Sequence, residues 1–277
     1  MNENTQPSDS TWDNSLSNEP AEPQVEETSP FLPDDDEDPE GFTFNWIPLL
    51  IAVGYILLNI QQGGWSFYLY LAIVVIIHEM GHVVMGKAFG CVIRRMQVFF
   101  FSFVTYKPPY KEGASWWRNI TWSLGVLPWG GFTVFKSRLS DDELSAATPL
   151  HSAQSPYLED KKAWQRLLIA AGGVLFNLAT FLLLFIFMSV TDLISEGIFM
   201  VAMLSIILAV LNIIPIYPLD GGTVLLSVYE MITGKRPSQQ FTRILGWIGF
   251  AFIILFFFIY TGWMTPIFDF FHNLLMG

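Results

Sequence analysis

The chain has 277 residues, 52% of them hydrophobic and only 14% charged, where an ordinary soluble domain carries about 25% charged residues. That deficit excludes water as the main solvent and points to lipid. The net charge is −11 and there is a single cysteine, Cys91, so neither an internal disulfide nor a thiolate metal cluster can form and any metal must be held by nitrogen and oxygen.

In chain order, the excess acid comes first. The segment ending in Asp34-Asp35-Asp36-Glu37-Asp38 lacks Lys and Arg and is rich in Pro, Ser and Asn. It has too little apolar surface to offset its ordering entropy, so residues 1–42 read as a disordered acidic tail. Cation binding and docking are the competing roles. Apolar runs follow at about Phe44–Ile60, Trp65–Met85, Trp164–Val190, Gly197–Tyr217 and Ile244–Tyr260. Each is long enough, or nearly so, to cross a hydrocarbon core of about 30 Å at about 1.5 Å per residue. The expected fold is therefore an all-α polytopic membrane protein of about five transmembrane helices, with a membrane-embedded domain over 43–260. The first two runs, joined by Gln61-Gln62-Gly63-Gly64, read as a helical hairpin. Residues 261–277 read as an interfacial segment, and the polar stretch from Leu139 to Asp160 as a cytoplasmic loop. His151 in that loop and His272 near the C-terminus are not expected to be ligands.

All 14 Lys and Arg residues lie either between Lys87 and Arg166 or between Lys235 and Arg243. Five alternating spans place both basic segments on one face, which the positive-inside rule makes cytoplasmic. The N-terminus then lies in the cytoplasm. No glycine-rich phosphate loop is visible, and no nucleic-acid partner is expected.

Ionisable groups inside apolar runs are expensive and mark function. His78-Glu79-Met80-Gly81-His82 follows Val74-Val75-Ile76-Ile77. At i and i+4, both imidazoles share a helix face and can reach one ion. Glu79 projects to a neighbouring position, suited to a water on that ion, in the H-E-x-x-H arrangement of zinc proteases. A second cluster, Asn212-Ile213-Ile214-Pro215-Ile216-Tyr217-Pro218-Leu219-Asp220-Gly221-Gly222, ends the fourth run at the same face. Its prolines break the helix and its glycine pair allows positive φ. Asp220 then completes a three-ligand set with one position left for water; the competing reading is a helix cap.

Together these residues resemble the site-2 protease family of intramembrane metalloproteases, most closely the bacterial branch that acts in regulated intramembrane proteolysis. Two further segments carry the resemblance. Leu127-Pro128-Trp129-Gly130-Gly131-Phe132-Thr133-Val134 resembles the family's re-entrant β-hairpin at the cytoplasmic side of the core. Lys162-Ala163-Trp164-Gln165-Arg166-Leu167 with Gly172-Gly173-Val174-Leu175-Phe176-Asn177 resembles the start of its second core helix. The resemblance implies a bacterial cytoplasmic-membrane protein acting on transmembrane protein or peptide substrates. The usual PDZ insertion has no counterpart, because only about Thr191–Glu196 joins the third and fourth runs.

Zn2+ lowers the pKa of bound water to about 7, and Glu79 is expected to take its proton and pass it to the leaving amine. Asn177 and Asn212 are candidate oxyanion or substrate contacts, with interhelical hydrogen bonding as the alternative. Ile120–Leu124 and Gly131–Phe135, flanking Pro128-Trp129-Gly130, read as a hairpin whose edge, with Gly131 and Phe132, takes an extended substrate by β-addition. Val98–Thr105 extends that sheet. A plain interfacial hairpin is the alternative. For the whole chain, a catalytically silent relative that binds membrane proteins without cutting them is the main rival reading, and a metal transporter the other.

Overall fold

The computed structural model describes residues 40–59, 64–109, 119–137, 155–191, 193 and 195–260. The acidic segment up to Pro39, residues 138–154 with His151, and residues 261–277 with His272 lie outside the described residues. The elements run β1 (Gly41–Phe44), α1 (Trp46–Asn59), α2 (Gly64–Ala88), β2 (Ile93–Lys107), β3 (Thr121–Phe135), α3 (Ala163–Thr191), α4 (Glu196–Ile213), α5 (Asp220–Thr233) and α6 (Gln239–Tyr260). A single 3₁₀ turn, Leu158–Asp160, precedes α3.

The fold is mostly helical, and three helices are long and apolar enough to cross a membrane: Ser66–Ala88, Ala163–Thr191 and Glu196–Ile213. A helix satisfies its own backbone, as a segment in hydrocarbon must. The C-terminal half of α3 exposes Leu183, Phe185 and Ile186 with no charge among them, a surface suited to lipid. Ser195 caps α4 by accepting from the Ile198 amide at 3.3 Å. Against α3, α2 packs backbone to backbone: a Cβ on Gly172 would lie 2.6 Å from the Gly81 carbonyl oxygen. Close approach through small residues is how membrane helices gain packing without a hydrophobic driving force.

The three strands form one sheet in the order β1-β2-β3, antiparallel except where Arg95–Val98 runs beside Thr121–Leu124 in the same direction. Its register departs from a simple hairpin. Arg95–Val98 pairs with Thr121–Leu124 on one side and with Val134–Gly131 on the other. The arms expected to pair with each other therefore flank a strand of β2 between them. Further along, Val104–Tyr106 returns to pair with Leu124–Trp122, and β1 closes that end through Phe44–Val104 and Gly41–Lys107. The reversal within β2 falls at Phe99 and Phe101, both at positive φ, and that within β3 at Gly130, φ 124°. Gly131–Phe135 is thus left as the outer edge. The sheet rests on α2 through Val75 and Val83, which pack with Ile93, Met96, Val98, Phe99 and Ile120.

The expected fourth run, Gly197–Tyr217, forms one helix that stops short of its end, and a further helix follows beyond it. α4 stops at Ile213, Ile214–Leu219 form a non-helical break around Pro215 and Pro218, and α5 starts at Asp220. Gly221 and Gly222 have helical backbone rather than the positive φ expected of them. Their small size is what matters, since a Cβ on Gly222 would lie 2.6 Å from the Ile216 carbonyl carbon. α5 then leads away from the break along α3: Glu230 pairs with Arg166 near the start of α3 and with Arg236 at 3.4 Å. Arg236 also donates to the Glu159 carbonyl at 2.7 Å. α4 and α5 are therefore successive helices separated by the break at Ile214–Leu219.

Candidate metal centre

His78 and His82 lie one helical turn apart on the face of α2 that meets α3, both buried, and Asp220 meets them from the first turn of α5. His78 Nε2 and His82 Nε2 are 3.3 Å apart, and Asp220 Oδ2 lies 3.1 Å from the first and 3.3 Å from the second. Four-coordinate zinc, with bonds of about 2.0–2.1 Å, holds its ligand atoms roughly 3.3 Å apart. The donor triangle matches that edge length.

Hydrogen bonding behind the triangle supports the same reading. His82 Nδ1 lies 2.8 Å from the Ile169 carbonyl oxygen. A carbonyl only accepts, so Nδ1 carries the proton and Nε2 turns a lone pair inward. Asp220 Oδ2 is buried with no hydrogen-bond partner, although two imidazole nitrogens surround it. Lone pairs converging on one point are a costly arrangement that a cation relieves. Gly173 gives that cation room: a Cβ there would lie 2.6 Å from Nε2 of each histidine.

Asn177, fully buried, stands behind His78 with its Nδ2 3.1 Å from His78 Nδ1. Its own Oδ1 is buried without a partner, and a half-turn of the amide brings that oxygen to an Nδ1–H on His78. The other candidate amide, Asn212, turns back on its own helix and donates to the Leu208 carbonyl at 3.0 Å. Asn177 is thus brought to the triangle from behind.

Glu79 is 3% exposed and faces the outer strand of the sheet. A Cβ on Gly131 would lie 3.0 Å from Glu79 Cγ and 2.9 Å from Val75 Cγ1, so the strand lies flush on α2. Two residues on, Thr133 donates its hydroxyl to Glu79 Oε2 at 2.8 Å. Phe132, between them in the strand, points the other way by pleat alternation and stands 5.8 Å from the Phe100 ring. Sequence reasoning did not single out Thr133, Gly173 or the Ile169 carbonyl. A hydroxyl or a missing side chain has no motif of its own, and its meaning comes from the neighbour it meets.

Residues 66–193 and 188–256 match peptidase family M50. The chain belongs to peptidase family M50. That membership bears out the site-2 protease resemblance of HEMGH and NIIPIYPLDGG, and it covers α2 to α6, every element of the metal centre included. Among M50-like relatives, Zinc metalloprotease RasP of Shouchella clausii is 45% identical over 58 residues, 21% of this chain and 14% of that protein. The curated relatives are matched over 10% to 16% of their own length. A site-2 protease from Methanocaldococcus jannaschii is similar at 19% identity and a TM-score of 0.47, over 78% of this chain and 77% of that one.

Proposed function

We propose that this protein is a zinc endopeptidase that hydrolyses peptide bonds of transmembrane segments near the cytoplasmic membrane face. His78, His82 and Asp220 hold the zinc, and Glu79 is the general acid/base. The observation that carries this reading is the triangle of two imidazole nitrogens and a carboxylate oxygen at 3.1–3.3 Å, with Glu79 beside it in the same helix. When bound, zinc supplies a Lewis acid and a water whose pKa is lowered to about 7. Glu79, dry and anchored by Thr133, takes a proton from that water and delivers it to the leaving amine.

A transmembrane helix hides its carbonyls in i→i−4 hydrogen bonds, so the substrate must unwind before attack. Gly131–Phe135 is the sheet's outer edge next to Glu79 and supplies backbone partners for the unwound segment. Glu79 lies about 14 Å along α2 from the Ala88 end, and Lys87 and the basic stretch that follows mark that end as cytoplasmic. The cut therefore falls within the inner leaflet of a bacterial cytoplasmic membrane. The chain crosses five times, with α4 and α5 together as the fourth crossing, the sheet re-entrant beside α2, and the N-terminus in the cytoplasm.

The test uses purified protein in proteoliposomes with a transmembrane peptide substrate. Glu79→Gln is expected to keep its zinc, measured by mass spectrometry of the metal, and to lose at least about 100-fold in turnover. Asp220→Ala is expected to lose both zinc and turnover. Cleavage that persists in Glu79→Gln removes Glu79 from the mechanism, and full zinc in Asp220→Ala removes Asp220 from the ligand set.

A further inference from the structure

We propose that Thr133 is a positioning residue for Glu79, fixing the orientation of its carboxylate from the strand that borders the site. The proposal rests on Glu79 being the general base. Its geometry is local and specific. A threonine hydroxyl has one proton to give, and here it goes to Glu79 Oε2 at 2.8 Å. With Oε2 held, the carboxylate plane is set and Oε1 is the oxygen left to work on the reacting water. A glutamate side chain otherwise has three rotatable bonds and loses that freedom only when something holds its end.

The placement of the hydroxyl is itself determined from both sides. Gly131, two residues before, lets the strand touch α2 at Val75 and Glu79, where a Cβ would lie 2.9 Å and 3.0 Å from those side chains. Phe135, two residues after, lies against Gly86, where a Cβ would run into the edge of the ring. Positions 131, 133 and 135 share one face of the strand, and their partners Val75, Glu79 and Gly86 follow one side of α2. Behind them the strand is held by pairing with Arg95–Val98. The hydroxyl therefore reaches Glu79 from a backbone with little play. Among the described residues the opposite edge of this strand pairs with no other, and it is the edge assigned above to the substrate. Base and substrate strand are held by one five-residue segment, so a substrate that straightens Gly131–Phe135 also tightens the base.

The experiment compares wild type, Thr133→Val, Thr133→Ser and Glu79→Gln in proteoliposomes. Thr133→Val keeps the shape and loses the donor. It is expected to bind zinc as wild type does, to keep KM within about two-fold, and to lose about 10–100-fold in kcat, the worth of a hydrogen bond to a charged group. Thr133→Ser restores most of that loss. Equal kcat in wild type and Thr133→Val overturns the proposal, as does a loss in Thr133→Ser as deep as in Thr133→Val. A second readout is independent of cleavage. The infrared difference between each protein and its Glu79→Gln counterpart isolates the Glu79 carboxyl band, which should move in Thr133→Val and stay in Thr133→Ser. An unmoved band in Thr133→Val overturns the hydrogen bond itself. A band that moves in Thr133→Val while the zinc-loaded wild type cleaves nothing instead overturns the reading of Glu79 as a base, and the proposal with it.

Discussion

A metal-binding imidazole is only as good as the hydrogen bond on its far nitrogen. His82 has a backbone carbonyl there, which no substitution removes, whereas His78 depends on Asn177. The two proposed ligands of HEMGH are thus supported unequally, and the weaker support is open to test. Asn177→Leu fills similar space and offers no acceptor, so zinc affinity should fall about 10–100-fold, read by chelator competition. Asn177→Asp keeps an acceptor for Nδ1–H and should retain affinity near wild type. Equal affinities in all three proteins would show that His78 needs no partner. The sequence marked both asparagines alike, because each is a lone amide in an apolar helix. The difference comes from what they face, His78 for Asn177 and the Leu208 carbonyl for Asn212.

Among helices, the site depends on how closely α2, α3 and α5 approach, and glycine sets that distance. Gly173→Ala should cost most of the bound zinc, because its Cβ would sit 2.6 Å from both ligand nitrogens. Gly54→Ala, where a Cβ meets nothing within 4 Å, is the control that should bind metal normally. Metal content after identical purification decides between them. Much of this level was legible beforehand. The apolar runs at 65–85 and 164–190 became α2 and α3 within a few residues, since a long apolar stretch without proline has little choice but a helix in hydrocarbon. α5 was not legible as a helix. It is 14 residues long, too short to register as a crossing, and it begins directly after a proline-broken loop that reads as an end. The sheet was half legible: alternation and the Pro128-Trp129-Gly130 turn located the strands. Pairing order was not, because the insertion of Arg95–Val98 between the two arms of β3 is a long-range choice with no local signal. The glycine pair after Asp220 was noticed for the wrong property, backbone freedom in place of lack of bulk.

For the whole molecule, Cys91 offers a way to check orientation. The thiol is buried, 1% exposed, and burial pushes it up to about 11. Below that pH it stays protonated and a poor nucleophile. In intact membranes it should stay unlabelled by maleimide at pH 7 to 8 and react once detergent unfolds the chain. Native protein is then a silent background for introduced cysteines. Ser10→Cys should be labelled only from the side of the basic segments, and labelling from the other side would reverse the assigned topology. The placement of Asp220 after the break between α4 and α5 has a further consequence, in the order of synthesis. His78 and His82 leave the ribosome early, but Asp220 follows only after the sheet, α3 and α4. Until α5 has docked along α3, the nascent chain has two ligands and no third. The proposed metal centre is thus incomplete until nearly all of the described helices are in place.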